Sequence, residues 1–409
     1  MTTGAATAVA VLAAGVKTPA GDTVEDLWSA LCQGQSTAEV LEGGPFRADE
    51  APLVCRDREF DPSTYFTPVE TRRLPRAHAL ALAAAQDALA GCQDDLPPPH
   101  RRAVVCGVGL PGSAAYEEQL TNLAERGVHA MSPLTVPHTM PSSIASLLSL
   151  RHDVRGPSVT VSAACASGAA AIAQGVDLLR SGAADLVLAG GVDALLDHAP
   201  IAAFSRLDAM SRCVDHPELA SRPFDVDRDG FVMGEGAGFV VLVRGDDARG
   251  RPVLGHVLGH ASTSDAYHLV APSPDGDGAF RCMQLALADA GLSTSDLTHV
   301  NAHGTSTVHG DLAEAAALAR LFGGPGPPVT GVKGTTGHLI AGSGAVEAVV
   351  ALVAATHGVV PPVAGLRTID PAIDLDVVHG EVRRVPVGPV LSSSFGFGGA
   401  NTVLVLGPD

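Results

Sequence analysis

Two successive series of short apolar strands and alanine-rich helices, in similar order, constrain this chain more than any other feature. The first series reads strand (Ala8 to Leu12), helix (capped by Asp22 or Thr23, to Leu31), helix (76–90), strand (Arg102 to Cys106) and helix (Ser113 to Arg126). It continues as strand (Ser158 to Ser162), helix (Ala166 to Arg180) and strands at Asp185 to Ala189 and Phe239 to Val243. The second begins at Val253-Leu254-Gly255-His256 and runs helix (279–291), strand (298–302), helix (311–322), strand (329–332) and helix (338–356), closing with strands 389–394 and 402–406. Such alternation predicts α/β architecture with mostly parallel sheets covered by helices. The matching order suggests a duplicated unit. The polar stretch from Gly245 to Gly250, Arg249 included, divides the chain into halves at 1–250 and 251–409. Residues 34–65, punctuated by Gly and Pro, read as a surface excursion.

Composition narrows the class. With 409 residues, 46% hydrophobic and 17% charged, the chain can bury a large core. No apolar run is long enough to predict a bilayer span, and Met1-Thr2-Thr3-Gly4 lacks the basic start of a signal peptide. The expectation is a cytoplasmic protein without a membrane partner. Seven cysteines at irregular spacing, none in a CxxC pair, favour free thiols over disulfides or zinc. A net charge of −18 argues against nucleic acid. Lysine is nearly absent, with only Lys17 and Lys333, as in proteins from GC-rich genomes. Lys333 nevertheless stands five residues before His338, where a compact ammonium offers what arginine's planar fork does not.

Three segments carry chemistry. Cys165 sits in Val161-Ser162-Ala163-Ala164-Cys165-Ala166-Ser167-Gly168, where a strand breaks into small residues and then a helix. Small side chains tolerate the crowding of a sharp elbow, and a helix N-terminus favours thiolate, so Cys165 is expected to be a nucleophile with a lowered pKa. His303, in Asn301-Ala302-His303-Gly304-Thr305-Ser306-Thr307, and His338, in Lys333-Gly334-Thr335-Thr336-Gly337-His338, each follow a predicted strand. Both therefore project from the sheet edge where α/β proteins place their sites, and their Nε2–H groups suit a developing thioester enolate. Lys333 and Glu314 are candidates for a buried ion pair that orients His338. The loop Ser394-Phe395-Gly396-Phe397-Gly398-Gly399-Ala400-Asn401 is glycine-rich beyond the needs of a hairpin, and backbone N–H groups near Phe397 are placed to complete an oxyanion hole with that of Cys165.

Two motifs are set aside. Gly107-Val108-Gly109-Leu110-Pro111-Gly112 matches the dinucleotide fingerprint, but no strand ending in Asp or Glu follows about 20 residues later. His256 and His260 have HxxxH spacing without the glutamate of a zincin, and no metal site is expected there.

Taken together, these segments resemble the β-ketoacyl-acyl-carrier-protein synthases, the thiolase-fold condensing enzymes, over almost the entire chain. The resemblance extends to Arg222-Pro223-Phe224-Asp225, Arg228 to Gly238, Ser264-Asp265-Ala266-Tyr267-His268, Gly156-Pro157-Ser158 and Ala189-Gly190-Gly191. It implies a five-layer αβαβα sandwich of two related halves. It also implies that Cys165 accepts an acyl chain from a carrier protein, and that His303 and His338 drive decarboxylation of malonyl-carrier protein. Lys333 and Glu314 would organise the site, Phe397 would gate it, Thr305 and Thr307 would meet the pantetheine arm, and Val108 and Phe395 would line the acyl path. No cofactor is implied beyond the phosphopantetheine of the carrier protein. Carrier proteins are acidic, so docking on a chain of −18 would need a local basic patch, with Arg72, Arg73 and Arg206 as candidates. A dimer is expected, either with itself or with a chain-length-factor-like subunit, centred on the strand after Gly156. The helix after Thr71-Arg72-Arg73 departs from the family by containing Pro75.

Cys165 argues against a silent chain-length subunit, which lacks that residue. The cysteine-free C-terminal loop argues against a degradative thiolase, and two histidines argue against an initiating synthase. The near-absence of lysine favours type II polyketide or specialised acyl assembly over housekeeping fatty-acid elongation.

Overall fold

The computed structural model describes residues 8–47, 51–92, 96–248 and 250–409; Met1 to Gly4 and Arg249 of the polar linker lie outside them. Ten strands form one continuous sheet. In chain order they are β1 (Val9–Lys17), β2 (Arg102–Val108), β3 (Ser158–Val161), β4 (Leu186–Asp193), β5 (Gly236–Arg244), β6 (Gly255–Ser264), β7 (His299–Asn301), β8 (Val329–Thr330), β9 (Val390–Gly396) and β10 (Ala400–Gly407). Their spatial order is β8-β7-β9-β10-β6-β1-β5-β4-β2-β3. Each half places its own third, second, fourth, fifth and first strands in that sequence, with the outer two junctions parallel and the next two antiparallel. Two copies of one topology therefore meet back to back, joined where Val9–Val11 pair with Gly255–Val257.

The expectation of mostly parallel pairing holds only for the outer three strands of each half; every central junction is antiparallel. In the C-terminal half the reason is direct. β9 turns into β10 through Phe397–Gly399, and a connection that short permits only antiparallel neighbours.

Five helices complete the layers. α1 (Arg76–Ala90) covers the outer face of the N-terminal half-sheet. α2 (Ser167–Arg180) and α5 (Ser343–His357) fill the space between the half-sheets, and α3 (Asp277–Ala290) and α4 (Val308–Phe322) cover the far side. This is a five-layer αβαβα sandwich. Among the described residues, Ile340–His357 alone is long and apolar enough to cross a membrane. It is largely apolar because most of it is buried between the two half-sheets, as a core helix must be.

Three local expectations are revised. α5 starts at Ser343 rather than at 338, because Ile340 takes φ 49° and the chain turns there. Leu53–Cys55, inside the supposed surface excursion, is a buried strand between Glu39–Val40 and Met233–Gly234. Pro75 lies not within a helix but at the N-cap of α1, where no intrahelical N–H is needed. The seven cysteines are free thiols. His256 and His260 stand four residues apart along β6, and His260 Nε2 lies 3.2 Å from an oxygen of Asp177.

Candidate active site

Cys165 stands at an elbow built from small residues. β3 ends at Val161, Ala164 takes the left-handed φ of 48°, and α2 begins at Ser167. Ser167 Oγ stitches the bend, accepting the Ala163 N–H at 2.8 Å and donating to the Ala164 carbonyl at 2.6 Å. Gly396 presses on it from the C-terminal loop. A Cβ there would stand 2.6 Å from the Ala163 carbonyl oxygen, so no larger residue fits.

The thiol is buried, and its ionisation is not the one expected from a helix N-terminus. Burial pushes its pKa up to about 11, opposed by the Lys333 charge and by the N–H groups of Phe397 and of Cys165 itself. The resting group is a thiol, because desolvation outweighs what the helix end and nearby amides supply. The Phe397 and Cys165 N–H groups nonetheless converge on this sulfur, the placement an oxyanion hole requires.

The two histidines face each other across the same cavity, ring centres 5.5 Å apart and nearly perpendicular. His303 follows β7 by two residues. Its backbone N–H and that of Gly304 donate to the two oxygens of Glu314 on α4, each at 2.8 Å. The loop then passes Ser306 at φ 68° and ends at Thr307, whose hydroxyl caps α4 by accepting the Gly310 N–H. His338 reaches the site differently from the expectation. The short helix Lys333–Thr336 intervenes after β8, and His338 is held by backbone bonds to Val232 and Gly234.

Hydrogen-bond partners determine both tautomers. Lys333 Nζ lies 3.2 Å from His303 Nδ1, and an ammonium can only donate, so Nδ1 accepts and Nε2 carries the proton. The Ile340 N–H donates to His338 Nδ1 at 3.2 Å, with Ser343 Oγ at 3.0 Å, and the same conclusion follows. Burial, then the Lys333 charge, holds both imidazoles well below their usual pKa; His338 adds to the effect on His303. Two neutral rings thus each have an Nε2–H donor left for the cavity.

Lys333 is buried, and its ion-pair partner is Glu347 on α5, not Glu314. It also donates to the His303 carbonyl, so it orients His303 rather than His338. Glu314 is instead a loop anchor, its pKa raised by burial to about 7 against the pull of the Gly304 and His303 amides.

Of the other sequence-derived candidates, Thr305, Thr307, Phe395 and Phe397 line the cavity. The Phe395 ring stands 5.9 Å from His303, and the two threonine hydroxyls bond each other at 2.9 Å. Val108 does not reach the cavity; it packs with Ile144, Leu148 and Val192 in the core beneath the outer helices. Arg72 and Arg73 are exposed at the end of the helix Pro68–Arg73, and Arg206 is exposed after His198–Ser205. Sequence reasoning missed Glu347, Ser343 and the aromatic wall of Phe204 and Phe231, whose ring lies 5.4 Å from His338. Phe231 lay inside a quoted segment, but nothing in its spacing pointed to the cavity.

A duplicated αβαβα sandwich with a thiol elbow and two neutral imidazoles around one cavity defines a thiolase-fold condensing enzyme, an acyltransferase that forms carbon–carbon bonds. The chain belongs to the β-ketoacyl synthase family: residues 6–248 match its N-terminal domain and 254–367 its C-terminal domain. It is 36% identical over 413 residues to the 3-oxoacyl-[acyl-carrier-protein] synthase 2 of Synechocystis sp., covering 97% of each chain. Among solved structures it is similar to the ishigamide ketosynthase/chain length factor, with a TM-score of 0.88 and 32% identity over 99% of this chain and 100% of that one. It is also similar to AntDE:AntF, a type II polyketide synthase acyl-carrier protein in complex with its ketosynthase bound to the hexaketide. There the TM-score is 0.90 at 28% identity, over 98% of this chain and 100% of that one.

The buried thiol has a measurable consequence. Labelling of Cys165 by iodoacetamide, followed by mass spectrometry, should still accelerate with pH through pH 9 and level off only near pH 11. A plateau already reached at pH 7 would show a resting thiolate instead.

Proposed function

We propose that this protein is a cytoplasmic ketosynthase that joins a Cys165-bound acyl chain to malonyl-carrier protein by decarboxylative Claisen condensation. The observation that carries this reading is the pair of Nε2–H donors, fixed by Lys333 and the Ile340 amide, in one cavity with the Cys165 thiol. Cys165 Sγ attacks the incoming thioester, the carrier thiol leaves with the proton, and the Phe397 and Cys165 amides hold the oxyanion. Malonyl thioester then loses CO2. The enolate oxygen is received by the two imidazoles, and its carbon attacks the Cys165 thioester, expelling the Cys165 thiolate, which takes up one proton from solvent to return the thiol. Two neutral donors suit this task better than imidazolium, because they stabilise the enolate without handing it a proton. Lys333 and Glu347 set the first imidazole and Glu314 its loop. Phe397 and Phe395 lie where an acyl chain enters, and Thr305 and Thr307 where a pantetheine arm passes. The chemistry asks for no cofactor beyond the carrier's phosphopantetheine.

The two halves, 1–250 and 251–409, divide the labour, one carrying the thiol and the other the imidazoles. Type II polyketide or specialised acyl assembly is the preferred pathway, in keeping with the ketosynthases of ishigamide and AntDE:AntF type among similar structures. Housekeeping elongation is the second reading, favoured by the identity to 3-oxoacyl-[acyl-carrier-protein] synthase 2.

A dimer is part of the proposal. Among the described residues β3 is an edge strand paired on one side only; Leu150, at 80% exposure, lies on the helix Ser143–Arg151 packed beside it, and Val128 and Val136, at 66% each, are exposed earlier in the same stretch of chain. An unpaired edge beside exposed apolar residues calls for a partner, either a second copy or a chain-length-factor-like subunit. Light scattering should report a dimer, or an inactive, poorly soluble chain rescued by co-expression with such a subunit. A fully active monomer would defeat both versions.

Cys165→Gln should abolish the covalent acyl adduct seen by intact-protein mass spectrometry yet keep malonyl-carrier-protein decarboxylation. His303→Ala and His338→Ala should do the reverse, each lowering condensation about 10²–10³-fold while Cys165 still loads. An adduct that persists in Cys165→Gln would refute the nucleophile.

Arg72 and Arg73 are the proposed docking patch for the acidic carrier, with Arg206 secondary. Charge reversal at both should raise KM for carrier-bound substrate several-fold and leave kcat with a small pantetheine thioester unchanged. Equal damage to both substrates would assign these arginines a structural role.

A further inference from the structure

The Gly107–Gly112 loop has the spacing of a phosphate cradle, and the structure gives its N–H groups an anion from the protein itself. Asp193, the last residue of β4, is completely buried. Its carboxylate accepts the Gly109 N–H at 3.1 Å, the Leu110 N–H at 3.2 Å and the Ala341 N–H at 3.1 Å. Among the described residues these three backbone amides, and no cation, oppose the burial that raises its pKa to about 7. A carboxylate buried without a counter-charge is costly, so what it orders matters.

Each end of this clamp is informative. At one end, Gly109 follows β2 directly, and a Cβ there would stand 2.4 Å from Asp193 Oδ2, so the close approach requires glycine. At the other, Ala341 sits in the turn between His338 and Ser343. That turn contains Ile340 at φ 49°, a conformation unfavourable for a β-branched residue. It also supplies both Nδ1 partners of His338, the Ile340 amide and the Ser343 hydroxyl. The strained turn that sets the His338 tautomer is therefore bonded to Asp193 one residue further on.

We propose that Asp193 is a positioning residue, whose carboxylate ties the His338–Ser343 turn to the end of β2 and so holds the His338 imidazole with its Nε2–H available to the cavity. The loop that reads as a nucleotide cradle serves this internal anion instead. The proposal rests on the reading that His338 acts on the malonyl thioester.

The test separates the two half-reactions. Asp193→Asn keeps the shape but turns an NH2 group toward backbone donors. Decarboxylation of malonyl-carrier protein, measured in the Cys165→Gln background, should fall in kcat by about 10²-fold, as expected for a displaced catalytic group, with KM unchanged. Acyl loading of Cys165, measured with Asp193→Asn alone, should stay within about threefold of the parent. Gly109→Ala, which drives a methyl group into the same carboxylate, should give the same selective loss in weaker form, and it carries the test if Asp193→Asn does not fold. Equal loss of loading and decarboxylation, an effect confined to KM, or no effect would each overturn the proposal. His338→Ala in the same assay distinguishes the failures. If it lowers decarboxylation and neither clamp variant does, only the clamp is wrong; if it does not, the role given to His338 is wrong.

Discussion

One buried ammonium orients the site and biases its protonation. Lys333 lies between Glu347, the His303 carbonyl and His303 Nδ1, and its charge is felt by His303, His338 and Cys165 alike. It makes His303 Nδ1 an acceptor, adds to the burial that holds both imidazoles neutral, and draws the thiol pKa down against burial. Such a pair is poor evidence for stability, since desolvating two charges offsets much of their attraction. Its value here is orientation. Arginine could not replace it, because a planar fork cannot donate to a carboxylate, a carbonyl and a ring nitrogen converging on one atom.

The duplication explains how such a site is assembled. Each half-sheet has parallel outer strands, and chain leaving their C-terminal ends carries Cys165 from β3 and His303 from β7. The two central helices, α2 and α5, lie between the halves and bring both sets to one cavity; α2 starts just after Cys165 and α5 contributes Ser343 and Glu347. Neither half alone contains the Cys165 thiol together with the His303 and His338 imidazoles, so the chemistry belongs to the junction.

Three of the seven non-glycine residues with positive φ among the described residues lie in the same place. Ala164, Ser306 and Ile340 all adopt positive φ, and they flank Cys165, the His303 loop and His338. Each is held by specific bonds: Ser167 at the first, Asp311 to the Ser306 amide at the second, and Asp193 beside the third. Non-glycine residues in this region persist only where their surroundings hold them there.

The sequence by itself determined the class of fold, the two-series order, Cys165 and the two histidines. Those signals are local: a periodicity, a run of small residues at a bend, glycines beside an imidazole. Pairing across the structure was beyond it. Glu314 and Glu347 lie on alanine-rich helices of similar composition, and only packing reveals that α5 turns Glu347 toward Lys333 while α4 turns Glu314 toward the His303 backbone. The thiol's pKa followed the same rule. A helix end is visible in sequence, but how deeply a residue is desolvated depends on everything packed around it, and burial won. Antiparallel pairing of β1 with β5 and β6, the late start of α5 and the conversion of a nucleotide-like loop into a seat for Asp193 were likewise decided in three dimensions, because each depends on partners more than 80 residues apart in the chain.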